Sequence, residues 1–357
     1  MFRALVVLAA AISAASATKS LSLSVSAPES VADVSSFSVV TTITNTGDET
    51  LKLLNDPRSA LSPWATNTFE VANSDGVAPE FTGVIVRYIP EVAAKSQDAE
   101  AFTVLAPGAF VDVTHEVGNY YNFTNAGTGA FTFTPTNLFQ HVELDGSITV
   151  IEASTAPALT QLTGQLSSSS FLSSASIGGS NPDTRRHNAL GKRASYRSNC
   201  SSSRQTVNNQ ALTASATLAR NAVSHLQANP SGSSLQTTWY GTFASSRYSV
   251  TLSSFQTLVS APSGWTYDCS CTESQTYAYV YTSSYGVVYL CGLYWNVATT
   301  GSGSRADTII HEGTHFRQVL GTNDYTYGES SSKSLARSNP TNAVYNADNH
   351  AFFSVYA

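Results

Sequence analysis

The chain has 357 residues, enough for two domains that each bury a core, and sets 18 Lys and Arg against 24 Asp and Glu for a net charge of -6. That acidic balance, with no basic run and no interleaving of basic and aromatic residues, excludes a nucleic-acid partner. Beyond the first residues no stretch is apolar enough to span a bilayer, which excludes a membrane role.

In chain order, residues 1–17 carry one Arg, then an apolar run, then small residues, the pattern of a secretory signal peptide. The mature protein is therefore expected to be secreted, soluble and extracellular. From residue 18 to about 160, segments such as LSLSV, FSVVTTIT, FVDVTHEV, FTFTP and SITVI alternate apolar residues with Ser or Thr between turn residues, which predicts a β-sandwich. Asn122 opens a glycosylation sequon, expected on a loop. Residues 161–193 form a Ser- and Gly-rich linker that cannot bury enough apolar surface to order itself. It ends in Lys192 and Arg193, a processing site whose cleavage would release residues 194–357.

The released part opens with a helical pattern on Val207, Leu212, Leu218, Ala222 and Leu226 that stops at Asn229 and Pro230. A hairpin follows around residues 277–295, with an edge that can take an extended peptide. Asp307 can cap a helix running to Gly321, and Pro340 can start another through Ala357. All four cysteines lie in this part, as expected for two disulfides in a secreted domain. Cys269 and Cys271 are too close to bond each other, which leaves Cys200 to one of them and Cys291 to the other.

Chemistry concentrates in ADTIIHEGTHFRQVLGTNDYTYG, residues 306–328. Residues four apart share a helix face, so His311 and His315 can both turn a ring nitrogen to one ion at about 2.0 to 2.1 Å. Glu312, beside the first, can take the proton of a water activated by that ion without ligating it. Gly321 ends the helix and reverses the chain, returning Asp324 as the third ligand. Glu329 is a second candidate carboxylate, although GESSSK reads more simply as a helix start. Three protein ligands and one open position describe a catalytic site with one Zn2+ per domain. His115 and Glu116 form a contrasting pair: position 119 is Asn and the local pattern is a strand, so no metal is assigned there. Gln318 and Gly321 stand where the metzincin pattern needs Gly and His.

HEGTH followed by GTNDYTYG resembles the aspzincins, the fungal deuterolysins and peptidyl-lysine metalloendopeptidases. The resemblance covers residues 194–357 and extends to the signal peptide, a long propeptide removed at Lys-Arg, the four cysteines and the late segment NADNHAFF. It implies an α+β zincin-like catalytic domain preceded by an all-β sandwich-like propeptide domain. It also implies zinc on His311, His315 and Asp324, Glu312 as general base, Tyr327 as a hydroxyl donor to the developing oxyanion, and disulfides Cys200–Cys269 and Cys271–Cys291. In the lysine-specific branch an aspartate at the position of Asp348 and a glutamate at the position of Ala351 form an acidic pocket for the lysine after the cut bond. Here only Asp348 remains, so a preference for Lys or Arg without strict exclusion of other residues is expected. The expected partners are protein or peptide substrates, the chain's own propeptide and a processing protease. The competing reading is a secreted β-sandwich binding protein with an inactive zincin-like domain, against which the intact Glu312 argues.

Overall fold

Strict alternation of buried and half-exposed positions, as along Val39–Asn45, shows why the N-terminal half is built from strands. The structure, a computed structural model, describes residues 18–168 and 193–357. The signal segment and the linker from 169 to 192, Lys192 included, lie outside the described residues. One sheet pairs Leu21–Ser26, Val39–Asn45 and Phe110–His115. Its buried face gives Val39 to a core with Phe131, Phe133 and Leu162 of a second sheet. The same face gives Leu21, Leu23 and Ile43 to a core with Leu51, Leu53 and Phe139 of a third. The result is a sandwich whose second layer is split in two. The strand Ala158–Gln165 carries this half past residue 160, where the sequence pattern placed its end. Asn122 lies in a two-residue strand paired with Glu80 rather than on a loop, and its Oδ1 accepts from Thr124 N–H (3.1 Å).

In the C-terminal half, the helix Ser202–Ala228 starts on Ser201, whose side chain accepts from Arg204 N–H, and buries Leu212, Ala222 and Leu226. The hairpin of Ala278–Tyr281 and Val287–Leu290 forms as expected. Disulfides Cys200–Cys269 and Cys271–Cys291 tie the first helix and the hairpin to the segment after the strand Thr266–Asp268. The sheet of this half runs in the order Ser195–Tyr196, Thr266–Asp268, Val287–Leu290, Ala278–Tyr281, Val84–Arg87. Its last strand comes from the N-terminal half and pairs antiparallel, with Arg87 opposite Ala278 and Val84 opposite Tyr281. The edge expected to accept an extended peptide is thus filled by the chain itself.

Two helix boundaries differ from the sequence reading. The motif helix is Arg305–His315, capped by Ser304, whose Oγ accepts from Asp307 N–H (3.2 Å); it ends six residues before Gly321. Phe316 leaves the helix in extended backbone to bury its ring against Trp265 (5.1 Å between centroids), and a separate turn leads to Gly321. The expected single helix from Pro340 is broken into Pro340–Val344 and Ala347–Tyr356, because Asn346 turns extended to bridge Asn323.

Gly313 lies where the motif helix meets its packing neighbours: an added Cβ would stand 2.6 Å from Leu258 and 2.8 Å from Trp265. Gly313→Ala is expected to destabilise the fold by about 1 to 3 kcal/mol through overpacking. Thermal unfolding checks this, and an unchanged midpoint would show that Leu258 and Trp265 yield freely.

Candidate metal centre

Helical spacing brings His311 and His315 to one face, and the return of the chain after Gly321 brings Asp324 to meet them. His311 Nε2 and His315 Nε2 lie 3.3 and 3.6 Å from Asp324 Oδ1. Tetrahedral ligands about 2.0 to 2.1 Å from one ion are separated by roughly 3.3 to 3.5 Å, so these separations fit. The three atoms are buried and have no hydrogen-bond partner, an arrangement too costly to persist unless a cation satisfies it.

The opposite ring nitrogens are already engaged. His311 Nδ1 donates to Asp348 Oδ1 (2.8 Å) and His315 Nδ1 to Thr322 O (2.9 Å), which aims both Nε2 lone pairs at the same point. Thr322 is held in turn by Thr314, whose backbone carbonyl accepts from Thr322 N–H and whose hydroxyl lies 2.8 Å from that of Thr322. Asn346 Oδ1 accepts from Thr326 N–H, and Asn346 Nδ2 donates to Asn349 Oδ1, so NADNH braces the loop that carries Asp324.

Without an ion the cluster polarises itself. Burial opposes charge on every member, yet Asp324 holds the His311 imidazolium and raises its pKa to about 9, while the two histidines lower Asp324 to about 2. Burial lowers His315 to about 4 and raises Glu312 to about 8. Both Glu312 oxygens are buried without a hydrogen bond, although the Arg87 backbone N–H faces the carboxylate.

The other candidates separate clearly. The Tyr327 hydroxyl lies between Asp324 Oδ2 (2.9 Å) and the Val86 carbonyl oxygen, under the stacked guanidinium of Arg58 (4.0 Å to the ring). Glu329 begins a separate helix and pairs with Lys333 (2.6 Å), so it is no ligand. His115 is buried in its strand with Nε2 3.0 Å from the Thr41 hydroxyl. Asp348 is buried beside His311, and Ala351, one turn on, is buried too. Val86 and Arg87 were not singled out in the sequence, and Asp307 was read only as a helix cap, a role that Ser304 takes. Arg87 is fully buried and donates to Asp348 Oδ1 from Nη1 (3.0 Å) and to Asp307 Oδ2 from Nη2 (3.1 Å). Asp307 stands four residues before His311, on the face of the motif helix that holds the ligands, a spacing that could have marked it. No local pattern could have placed Arg87, 220 residues from Asp307.

A family model described as lysine-specific metallo-endopeptidase, of the aspzincins, matches residues 225–355. Among curated proteins, the chain is 43% identical to a peptidyl-Lys metalloendopeptidase of Armillaria mellea over 96% of this chain and 93% of that one. It is 42% identical to a peptidyl-Lys metalloendopeptidase of Grifola frondosa over 98% and 96%. A solved structure of a zinc peptidase from Grifola frondosa matches 43% of this chain and 96% of its own, at 42% identity and a TM-score of 0.42.

Asp324→Ala removes one of the three converging atoms, and the protein is expected to lose bound zinc on dialysis at a concentration where the unaltered protein retains one ion. Full zinc content in the variant, measured by atomic emission, would remove Asp324 from the ligand set.

Proposed function

Because the chain belongs to the aspzincin family of zinc metalloendopeptidases, we propose that residues 194–357 are a secreted endopeptidase favouring Lys or Arg on the C-terminal side of the cut bond. Residues 18–193 act as its propeptide. The observation that carries this reading is the convergence of three unpartnered ligand atoms beside an unpartnered buried carboxylate, Glu312. Zinc held by His311, His315 and Asp324 would polarise a substrate carbonyl and lower the pKa of the attacking water toward about 7.

The remaining work falls to the chain's own groups. Glu312 takes the proton of the attacking water and passes it to the leaving nitrogen. The Tyr327 hydroxyl donates to the carbonyl oxygen as negative charge builds there. Asp348 holds His311 in the ligating tautomer while facing the basic side chain after the cut bond. The strand Ala278–Tyr281 offers backbone hydrogen bonds to an extended substrate.

The segment Val84–Arg87 already lies on that strand with the Val86 carbonyl on Tyr327 and the Arg87 N–H toward Glu312, the arrangement a substrate would take about its scissile bond. It restrains the enzyme by filling the cleft, which suits a chain whose first cysteine is Cys200 and which has no propeptide thiol to offer the metal. No helix among the described residues is long and apolar enough to cross a membrane.

Casein hydrolysis by the secreted product, abolished by a chelator and restored by zinc, tests the activity. A product that binds zinc but stays inert would favour the inactive binding protein. Glu312→Gln should keep zinc and lower kcat by about 10² to 10⁴. N-terminal sequencing of active material should read from Ala194, and a start before Arg185 would contradict processing at Arg193.

A further inference from the structure

Arg87 reaches a chamber of the C-terminal half that is closed on several sides. Asp348 meets one guanidinium nitrogen and Asp307 the other, the Tyr277 ring stands 5.7 Å from the guanidinium carbon, and Tyr277 N–H donates to the Arg87 carbonyl oxygen (3.2 Å). The side chains of Arg87, Asp307 and Asp348 are all fully buried. Asp307 is held in place by Gly303 N–H, which donates to its Oδ2 (2.7 Å). Position 351, from which a second acid would come in the lysine-specific branch, holds a buried alanine, while the motif helix supplies an acid of its own.

We propose that Asp307 is a specificity-determining residue of this peptidase, which with Asp348 forms a two-carboxylate pocket for an arginine side chain immediately after the cut bond. The proposal rests on the peptidase reading above, because Arg87 marks the pocket only if its strand lies as a substrate does. A guanidinium spans both acids with separate nitrogens, as Arg87 does. A lysine ammonium ends about one bond short of those nitrogens and donates from a single centre, so it cannot meet both acids in the same geometry. Two desolvated carboxylates facing each other also penalise a neutral occupant, which leaves both unpaired. The glutamate missing at position 351 is therefore replaced by charge on a different helix, and the preferred residue shifts from Lys toward Arg.

The test uses the secreted, processed enzyme obtained by expressing the full chain, with three quenched peptides that differ only in Arg, Lys or Ala after the cut bond. The unaltered enzyme should cleave the Arg peptide with kcat/KM roughly tenfold above the Lys peptide and further above the Ala peptide. Lys equal to or better than Arg would overturn the proposal, and this arm depends on no variant. Asp307→Asn should lower the ratio of kcat/KM for the Arg peptide to that for the Ala peptide about tenfold or more, with zinc content retained. An unchanged Arg-to-Ala ratio in a variant that still holds zinc would overturn it as well. Ala351→Glu in the Asp307→Asn background should return a basic preference directed toward Lys. Chelator-sensitive cleavage of the Ala peptide separates the two readings: if it persists while the Arg preference is absent, the peptidase stands and the pocket assignment falls. If no peptide is cut, the peptidase reading itself falls.

Discussion

The structure is organised around charge that water cannot reach. The side chains of Asp307, Glu312, Asp324 and Asp348 are all buried at the meeting of the motif helix, the returning loop and the last helix, and the guanidinium of Arg87 pairs with two of them. Without an ion, burial raises the Glu312 pKa to about 8, and the permanent cations beside the three aspartates are Arg87 and, near Asp324, Arg58. Isolated buried carboxylates are too costly to persist, and a divalent ion between the two histidines would balance them while leaving both imidazoles neutral, as ligation requires.

Much of the surrounding architecture keeps that cluster dry and aimed. The ring nitrogens that point away from Asp324 are engaged by Asp348 and Thr322, and the asparagines of the last segment fix the loop that delivers Asp324. Asp348 accepts from His311, from Arg87 and, through Oδ2, from Gly328 N–H (2.7 Å). One carboxylate thereby links the orientation of His311 to the charge on Arg87. The guanidinium of Arg87 draws on the same Oδ1 oxygen that orients His311.

The N-terminal sandwich also reaches the centre. Val86, Arg87 and Arg58 all come from it: Val86 and Arg58 meet Tyr327, and Arg87 meets Asp348. A cleft of about 570 Å³ between the halves, lined by Arg58, Val86, Asp324 and Tyr327 among others, brings solvent to the flank of the site. One segment, Val84–Arg87, covers the edge of Ala278–Tyr281, the Tyr327 hydroxyl and the pair Asp307 and Asp348 together.

What the sequence determined by itself is what a few neighbouring residues impose. HEGTH on a helix places two histidines on one face by the 3.6-residue period, Gly321 at φ 78° turns the chain back, and apolar and hydroxyl residues in alternation make strands. The convergence of the two histidines and Asp324 was legible on those grounds. The family resemblance added Tyr327 and the cysteine pairing, which the structure shows bonded as Cys200–Cys269 and Cys271–Cys291. The ends of the motif helix were not legible, because burial of Phe316 and the bridge from Asn346 to Asn323 overrode local propensity. Only the tertiary structure decided that VIVR would lie on the hairpin edge and that Arg87 would close the circuit between Asp307 and Asp348. Strand pairing across nearly two hundred residues and a buried ion pair across more than two hundred leave no periodic trace in the chain, since each is chosen by the backbone edge and the desolvated charge that meet it in space.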